Sequence, residues 1–418
     1  MNYEQAMEFL YGTSWMGSKL GLDRMQEQMR RLSDPQKKIP CIHIAGTNGK
    51  GSVAAMLASI YREAGYRTGL YTSPAIAYFG ERIQLDGVPI PREAVASLSE
   101  KMKQATESMD DPPTEYERIT ALAYLYFAEE EVDIAIIETG LGGLLDATNV
   151  IDRPAASVIT AIGLDHTQEL GFSLEAITEQ KAGIIKKHAP VILYEQKGTV
   201  EDVIRSRTKE LHAPLRIASC ASFSQVEFGT DGTRFTHANN VYHLPLLGTH
   251  QIRNAAVVLE TVDALSERFP VTVEQLQKGL SAAVWTGRFE ILHKDPVVVL
   301  DGAHNPPAVQ ALKKNLVTYF PDKKITFLVG VLADKGYNTM VEELRPMASA
   351  WITVTPDSDR ALPGHELAEL ISAEVPVRTA ERIDDALRDF LENAKSSEVL
   401  CVFGTLTLIH AVRTFFGQ

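Results

Sequence analysis

The sequence predicts an α/β protein of two domains: a larger N-terminal one with a phosphate-binding loop and a mostly parallel sheet, and a smaller C-terminal Rossmann-like one. Three observations carry this. Short β-branched apolar runs alternate with amphipathic helical stretches, as parallel strands buried on both faces and their crossover helices require. A glycine-rich turn links the first such run to the helix after it. A second strand-and-helix series restarts after Trp285-Thr286-Gly287-Arg288, in a chain whose 418 residues exceed what one core usually supports.

The first strand is Cys41 to Ala45, followed after the turn by a helix from Ser52 to Ala64 that Gly65 stops. Val132–Ile137, Ser157–Ile162 and Pro190–Tyr194 read as further buried strands. Thr114-Glu115-Tyr116-Glu117, preceded by Pro112-Pro113 and rich in acid, reads as a helix entry. From about Thr199 to Val241 the pattern weakens into polar residues and short alternations, which predicts an antiparallel or irregular insertion. Gln251–Arg268 and Thr272–Ala283 return to helical spacing. The second series has strands at Val297–Leu300, Ile325–Val329, Trp351–Thr355, Val375–Arg378 and Val399–Phe403, with a helix from Ile383 to Ala394. The domain boundary falls near Arg288 to Pro296, giving domains of residues 1–290 and 291–418.

The net charge of −13 argues against a nucleic-acid partner, whose electrostatic footprint on a protein is basic. No apolar run approaches the roughly 20 residues that span a bilayer. The N-terminus carries acid early and does not read as a signal peptide. Cys41, Cys220 and Cys401 show no metal-ligand spacing and cannot all pair with one another, which fits a reducing cytoplasm.

The strongest local signal is Gly46-Thr47-Asn48-Gly49-Lys50-Gly51-Ser52 between a strand and a helix. Glycines let the backbone turn its N–H groups toward an anion, and the helix N-terminus adds a positive dipole end. Lys50 supplies a charge for the outer phosphates and Ser52 a hydroxyl for Mg²⁺. The common spacing fails, because Gly51 separates the lysine from the serine. Other candidates stand just past strand ends. Ser73 follows Leu70-Tyr71-Thr72, Glu138 closes Ile134–Ile137, and Asp165-His166 follow the strand ending at Gly163. In open parallel sheets ligands bind beyond the carboxyl ends of strands, so these positions converge on the loop. A hydroxyl, a carboxylate and an imidazole around phosphate oxygens suit one or two Mg²⁺ ions.

These residues, with Thr72-Ser73-Pro74, Glu81-Arg82-Ile83, Glu138-Thr139-Gly140-Leu141-Gly142-Gly143, Gly163-Leu164-Asp165-His166-Thr167 and Glu179-Gln180-Lys181-Ala182-Gly183-Ile184, resemble the folylpolyglutamate synthase/dihydrofolate synthase family. So do His250-Gln251 with Asn254-Ala255, Trp285 with Gly287-Arg288, and Asp301-Gly302-Ala303-His304-Asn305-Pro306. The matches lie in order over essentially the whole chain. This family belongs to the Mur ligase superfamily, so the resemblance implies the Mur ligase architecture and an ATP-dependent, ADP-forming ligase of an acid and an amino acid.

By the same resemblance Ser73, Glu138 and His166 match Mg²⁺ ligands. Lys181 matches a carbamylated lysine that helps hold a second ion, while Asn254, Arg288 and Asp301 match nucleotide-contacting positions. His304 lies in the loop of Asp301 and joins Lys50, Lys181 and Arg288 among the catalytic candidates. The substrates implied are ATP, L-glutamate and a folate or pteroate, and the implied state is a monomer. The folate carboxylate is first phosphorylated by ATP, and the glutamate amine then attacks the acyl phosphate. Arg288 at the domain junction and Asp301 beyond it imply closure over the reaction. Leu144 stands where the family commonly has arginine after Gly142-Gly143, which puts substrate choice in doubt. Ala75 and Gly336 are further departures. Three alternatives stay open: dihydrofolate synthesis only, a cell-wall Mur-type ligase, and a nucleotide-binding regulator without ligase activity.

Overall fold

The computed structural model describes residues 1–12, 21–371 and 375–417. The chain divides into two compact units, one of residues 1–222 and 253–283, the other of 223–252 and 284–418. The sequence reading drew a single line at 290/291; here the chain passes between units at three points.

The first unit is built on an eight-stranded sheet: β1 (Cys41–Ala45), β2 (Thr68–Tyr71), β3 (Ile83–Leu85), β4 (Val88–Pro89), β5 (Ile134–Glu138), β6 (Ala156–Ile159), β7 (Val191–Tyr194) and β8 (Leu215–Ala218). Their order is β4-β3-β2-β5-β1-β6-β7-β8. From β2 to β8 every neighbouring pair is parallel; only the hairpin pairs β2–β3 and β3–β4 are antiparallel. All five residues of β1 and of β5 are buried, which is why those strands read as unbroken apolar runs. Because β2, β5, β1 and β6 are adjacent and parallel, the loops after them leave the sheet at one edge.

Helix starts follow from local chemistry. Thr114 caps Glu115–Glu129 through a reciprocal box with Glu117, and Thr272 caps Val273–Ser281 with Gln275 in the same way. Lys50–Glu63 begins at Gly49 (φ +90°) and ends on Gly65 (φ +90°), with Tyr66 N–H donating to Tyr61 O and Gly65 N–H to Arg62 O. The segment expected to be an irregular insertion is half regular: Thr199–Glu210 is a helix and β8 a parallel strand of the main sheet. The helix buries only Val200, Ile204 and Thr208, and β8 is a half-exposed edge strand, so neither carried a strong apolar signal.

The remainder, β9 (Ser224–Gly229), β10 (Gly232–His237) and β11 (Asn240–Leu244), is the antiparallel part of that expectation. It belongs to the second unit, where Phe228 meets Tyr319 edge-on at 6.4 Å. Asn315 also accepts from Thr249 N–H at 2.8 Å. That unit's main sheet runs β12-β13-β17-β14-β15-β16. It is formed by β12 (Glu290–Lys294), β13 (Val297–Leu300), β14 (Lys324–Val329), β15 (Ala348–Thr353), β16 (Val377–Thr379) and β17 (Glu398–Phe403). Only β12 is antiparallel. In its core Trp351 stacks on Phe327 at 4.7 Å and Phe403 meets Phe327 edge-on at 5.6 Å.

Candidate active site

The turn after β1 is shaped by what surrounds its glycines. A Cβ on Gly46 would fall 1.8 Å from Thr160 Oγ1, and one on Gly49 would fall 2.8 Å from Asn254 Oδ1. Asn254 is 2% exposed, on the helix Gln251–Ala264, and so backs the loop at the start of the Lys50 helix. The sequence reading turned the loop's N–H groups as a set toward an anion. The structure divides them. Thr47 and Asn48 N–H both donate to Ala161 O, at 2.8 and 3.1 Å, and Thr47 Oγ1 exchanges hydrogen bonds with Gly163 O and N–H. The remaining amides head the helix, where the first turn has no intrahelical acceptors and its dipole favours an anion.

Lys50 Nζ lies 3.8 Å from Glu138 Oε1 and 3.5 Å from Thr47 O. Glu138 is 4% exposed, and its Oε2 accepts from Ser73 N–H at 3.3 Å. Parallel pairing of β2 with β5 brings Ser73 and Glu138 together, as the strand-end argument anticipated. Asp165 and His166 sit beyond β6. Asp165 Oδ1 accepts His166 N–H at 2.9 Å, His166 adopts φ +49°, and its ring nitrogens lie 4.0 Å from Asp165 and from Glu169. Among the described residues no group of three or more His, Cys, Asp or Glu side chains is gathered as a metal cluster would require. Ser73 and Glu138 do fit Mg²⁺ chemistry, since that ion takes oxygen donors and fills its shell with water and phosphate.

Lys181 is 4% exposed, so it is not a solvated lysine of the helix surface. Its Nζ donates to Gly46 O at 2.9 Å. Burial, and next the neighbouring Lys50 ammonium, lower its pKa to about 7, with Asp165 and Asp146 pulling the other way. At neutral pH a large share is therefore the free amine.

One group escaped the sequence reading. Asp146 is buried in the loop after β5, and burial raises its pKa. Its oxygens accept Leu141 N–H at 2.7 Å, Thr148 N–H at 3.0 Å and the Thr148 hydroxyl at 2.5 Å. Since Thr148 Oγ1 donates to Asp146, His43 Nε2 at 2.8 Å carries the proton that it accepts. The spacing Asp146-Ala147-Thr148 was a readable side-chain cap; the link to His43 on β1 was not.

The other candidates lie in the second unit. Asp301 follows β13, accepts Phe289 and Ala303 N–H at 2.9 and 2.7 Å, and has its pKa raised to about 6 by burial against the opposing pull of Arg288. Arg288 Nη1 donates to Gly287 O at 3.1 Å and packs where a Cβ on Gly302 would fall. His304 Nδ1 is 2.8 Å from Gly302 O. His250 is half-buried, and desolvation, with a smaller push from Arg288, lowers its pKa to about 4.

Residues 44–262 match the Mur ligase middle domain, and residues 287–406 match the glutamate ligase domain of Mur ligases. The dihydrofolate synthase/folylpolyglutamate synthase of Bacillus subtilis is 37% identical across 98% of both chains. Among solved structures, Escherichia coli FolC in complex with DHPP and ADP superposes with a TM-score of 0.89 at 27% identity, covering 100% of this chain and 98% of that one. Mycobacterium tuberculosis folylpolyglutamate synthase complexed with ADP and AMPPCP gives 0.88 at 30% identity, covering 99% of each. With matches of this extent, and the glycine-rich turn, Glu138 and Lys181 gathered at one sheet edge, the chain belongs to the folylpolyglutamate synthase/dihydrofolate synthase family of Mur ligases.

Proposed function

We infer that the chain joins L-glutamate to the γ-carboxylate of a folyl-glutamate, converting ATP to ADP and phosphate. The observation that carries the reading is Lys50, held between the phosphate loop and buried Glu138 in a chain that matches bifunctional relatives end to end. A carboxylate is a poor electrophile. Transfer of the γ-phosphoryl group to it makes an acyl phosphate; the glutamate amine then attacks the carbonyl carbon, and phosphate leaves with the C–O bond pair. Such transfer asks a protein for position and charge neutralisation more than covalent help. Lys50 and the helix N-terminus answer the phosphate charge, while Glu138 and Ser73 suit Mg²⁺, with His166 assigned beside them by the family resemblance. Mg²⁺, two ions in the full site, would neutralise the phosphoryl oxygens.

Lys181 is assigned carbamylation: its free amine adds CO₂, an N–C bond forms, one proton leaves, and an anion replaces a potential cation. Gly46, Thr47, Asn48, Gly49, Gly51, Ser52 and Asn254 are assigned to the nucleotide; Arg288, Asp301 and His304 keep the roles that the resemblance gives them. The relative that binds DHPP supports a second acceptor, dihydropteroate. Leu144, 40% exposed, makes that the weaker activity, because an anionic pterin loses a guanidinium there. A monomeric cytoplasmic enzyme completes the reading; the free cysteines Cys41, Cys220 and Cys401 support the compartment, and the family resemblance the monomer. The test offers tetrahydrofolate and 7,8-dihydropteroate separately, with ATP, Mg²⁺ and L-glutamate, and reads products by mass. One-glutamate gain on tetrahydrofolate is expected; no gain on either acceptor, with ATP still bound, would refute the reading.

A further inference from the structure

We propose that Gln196 is a positioning residue for nucleotide binding: its side-chain amide clamps the backbone of Ile162 and so holds the segment against which the phosphate loop is built. The pairing of β6 with β7 ends at Ile159 and Leu193. Beyond it the strands have no further ladder, and Gln196 substitutes for one. Ile162 N–H donates to Gln196 Oε1 at 2.9 Å, and Gln196 Nε2 donates to Ile162 O at 2.5 Å. One amide thus satisfies both backbone groups of one residue, as a neighbouring strand would.

The clamped segment has its other side on the phosphate loop. Ala161 O accepts both Thr47 and Asn48 N–H, and Gly163 exchanges two hydrogen bonds with the Thr47 hydroxyl. Thr160 N–H donates to Ala45 O at 2.8 Å, and Thr160 Oγ1 fills the space beside Gly46. The same turn after β7 also braces the helix that carries Asn254: Arg253 lies 4.2 Å over the Tyr194 ring and donates to Glu195 O. The stretch Tyr194-Glu195-Gln196 therefore ties together the two parts that flank the loop. Removing the amide leaves Ile162 N–H and C=O without these partners and loosens Ala161 and Gly163, the acceptors that orient Thr47 and Asn48.

The proposal rests on the loop's binding ATP, and the experiment separates the two. ADP binding to the full chain is measured by calorimetry in EDTA, so that no metal contributes, for wild type, Gln196→Leu and Gln196→Asn. Alongside it go steady-state KM values for ATP and glutamate, and amide exchange at residues 47–48 and 162–163. The expected result is about a tenfold weaker ADP affinity, a matching rise in KM for ATP, KM for glutamate within about twofold of wild type, and faster exchange in both segments. The asparagine side chain is one methylene too short to span both groups of Ile162, so it gives the same readings if the leucine variant does not fold. Unchanged ADP affinity, or a fall in kcat with every KM unchanged, overturns the clamp. A wild-type chain that binds no ADP overturns the nucleotide reading and the proposal with it.

Discussion

Gly49 and Gly65 flank one helix with the same φ of +90°, yet only one has a neighbour. Nothing lies within 4 Å of a Cβ on Gly65, whereas one on Gly49 meets Asn254 Oδ1 at 2.8 Å. Alanine at either position carries the left-handed penalty of about 1–2 kcal/mol. Each substitution should therefore lower the melting temperature of its unit by roughly 2–8 °C, taking about 2–4 °C per kcal/mol for a unit of this size. The difference between them measures the loop–Asn254 contact. Gly65→Ala leaves ATP affinity unchanged, because the strain is released at the far end of the helix. Gly49→Ala displaces the buried Asn254 and tilts the first helical turn, and should weaken ATP about tenfold or more, on the order of 1.4 kcal/mol. Asn254→Ala in the Gly49→Ala background recovers part of the lost stability and none of the affinity. Thermal melts and calorimetric ATP titrations of the four proteins suffice. Equal ATP affinity in the two glycine variants would refute the argument that Asn254 and Gly49 together set the phosphate cradle.

Glu138→Gln leaves Lys50 beside a neutral amide and removes a charge suited to Mg²⁺; kcat should fall about 10²–10³-fold, while ADP binding in EDTA holds within about twofold. Retention of more than a tenth of the wild-type kcat would show that the carboxylate is not needed. Lys181→Met replaces a buried amine by an apolar chain, so stability should be kept while turnover is lost, and removal of dissolved CO₂ should slow the wild type until bicarbonate is returned. Intact-mass analysis that never finds the mass of one added CO₂ on Lys181, under conditions where turnover is full, would exclude the carbamate. His43, fully buried, has its pKa lowered from 6.5 to about 3. Its neutral form is common to both states above pH 6.5. Below that the unfolded chain takes up a proton that the folded chain refuses, so stability present at pH 7 is lost as pH falls from 6.5 toward 3. The loss is about 2 kcal/mol by pH 5. His43→Gln should flatten the slope of unfolding free energy between pH 6.5 and 5, and an unaltered slope would count against the burial argument.

What could be read from the sequence was what local chemistry determines. The buried strands β1, β5 and β6 announced themselves by unbroken apolar runs, and Gly65 by its helix-stopping chemistry. The helix entry at Thr114 and the strand-end positions of Ser73, Glu138 and Asp165 were equally legible. What escaped depends on partners distant in the chain. The edge strand β8 is only half-buried and carries Arg216 because one side of it has no neighbour. The antiparallel strands β9 to β11 join the second unit through Tyr319, about 90 residues beyond Phe228, and the segment after them through Asn315 against Thr249. Lys181 was singled out only through the family resemblance, because nothing in Gln180-Lys181-Ala182 shows that Gly46 O will lie 2.9 Å from its Nζ. The buried chain His43–Thr148–Asp146 spans 105 residues, and Gln196 is an unremarkable polar residue until β6 and β7 are side by side.

The division of labour in the phosphate loop has a consequence for charge. With Thr47 and Asn48 N–H spent on Ala161, the loop holds an anion with fewer backbone donors than its glycine content suggests, and Lys50 carries more of the load. Lys50 is already engaged by Glu138 at 3.8 Å, in a setting where both side chains are largely shielded from water. A triphosphate must therefore compete with Glu138 for the ammonium. As it succeeds, Glu138 loses the ammonium that faces it, a loss that a cation in the place of Lys50 would offset. In the proposed site, nucleotide binding and cation binding at Glu138 would thus be coupled by the same lysine. An unprotonated Lys181, the form that can take up CO₂, suits this arrangement, because a second ammonium beside Lys50 would compete for the phosphate while repelling the incoming cation.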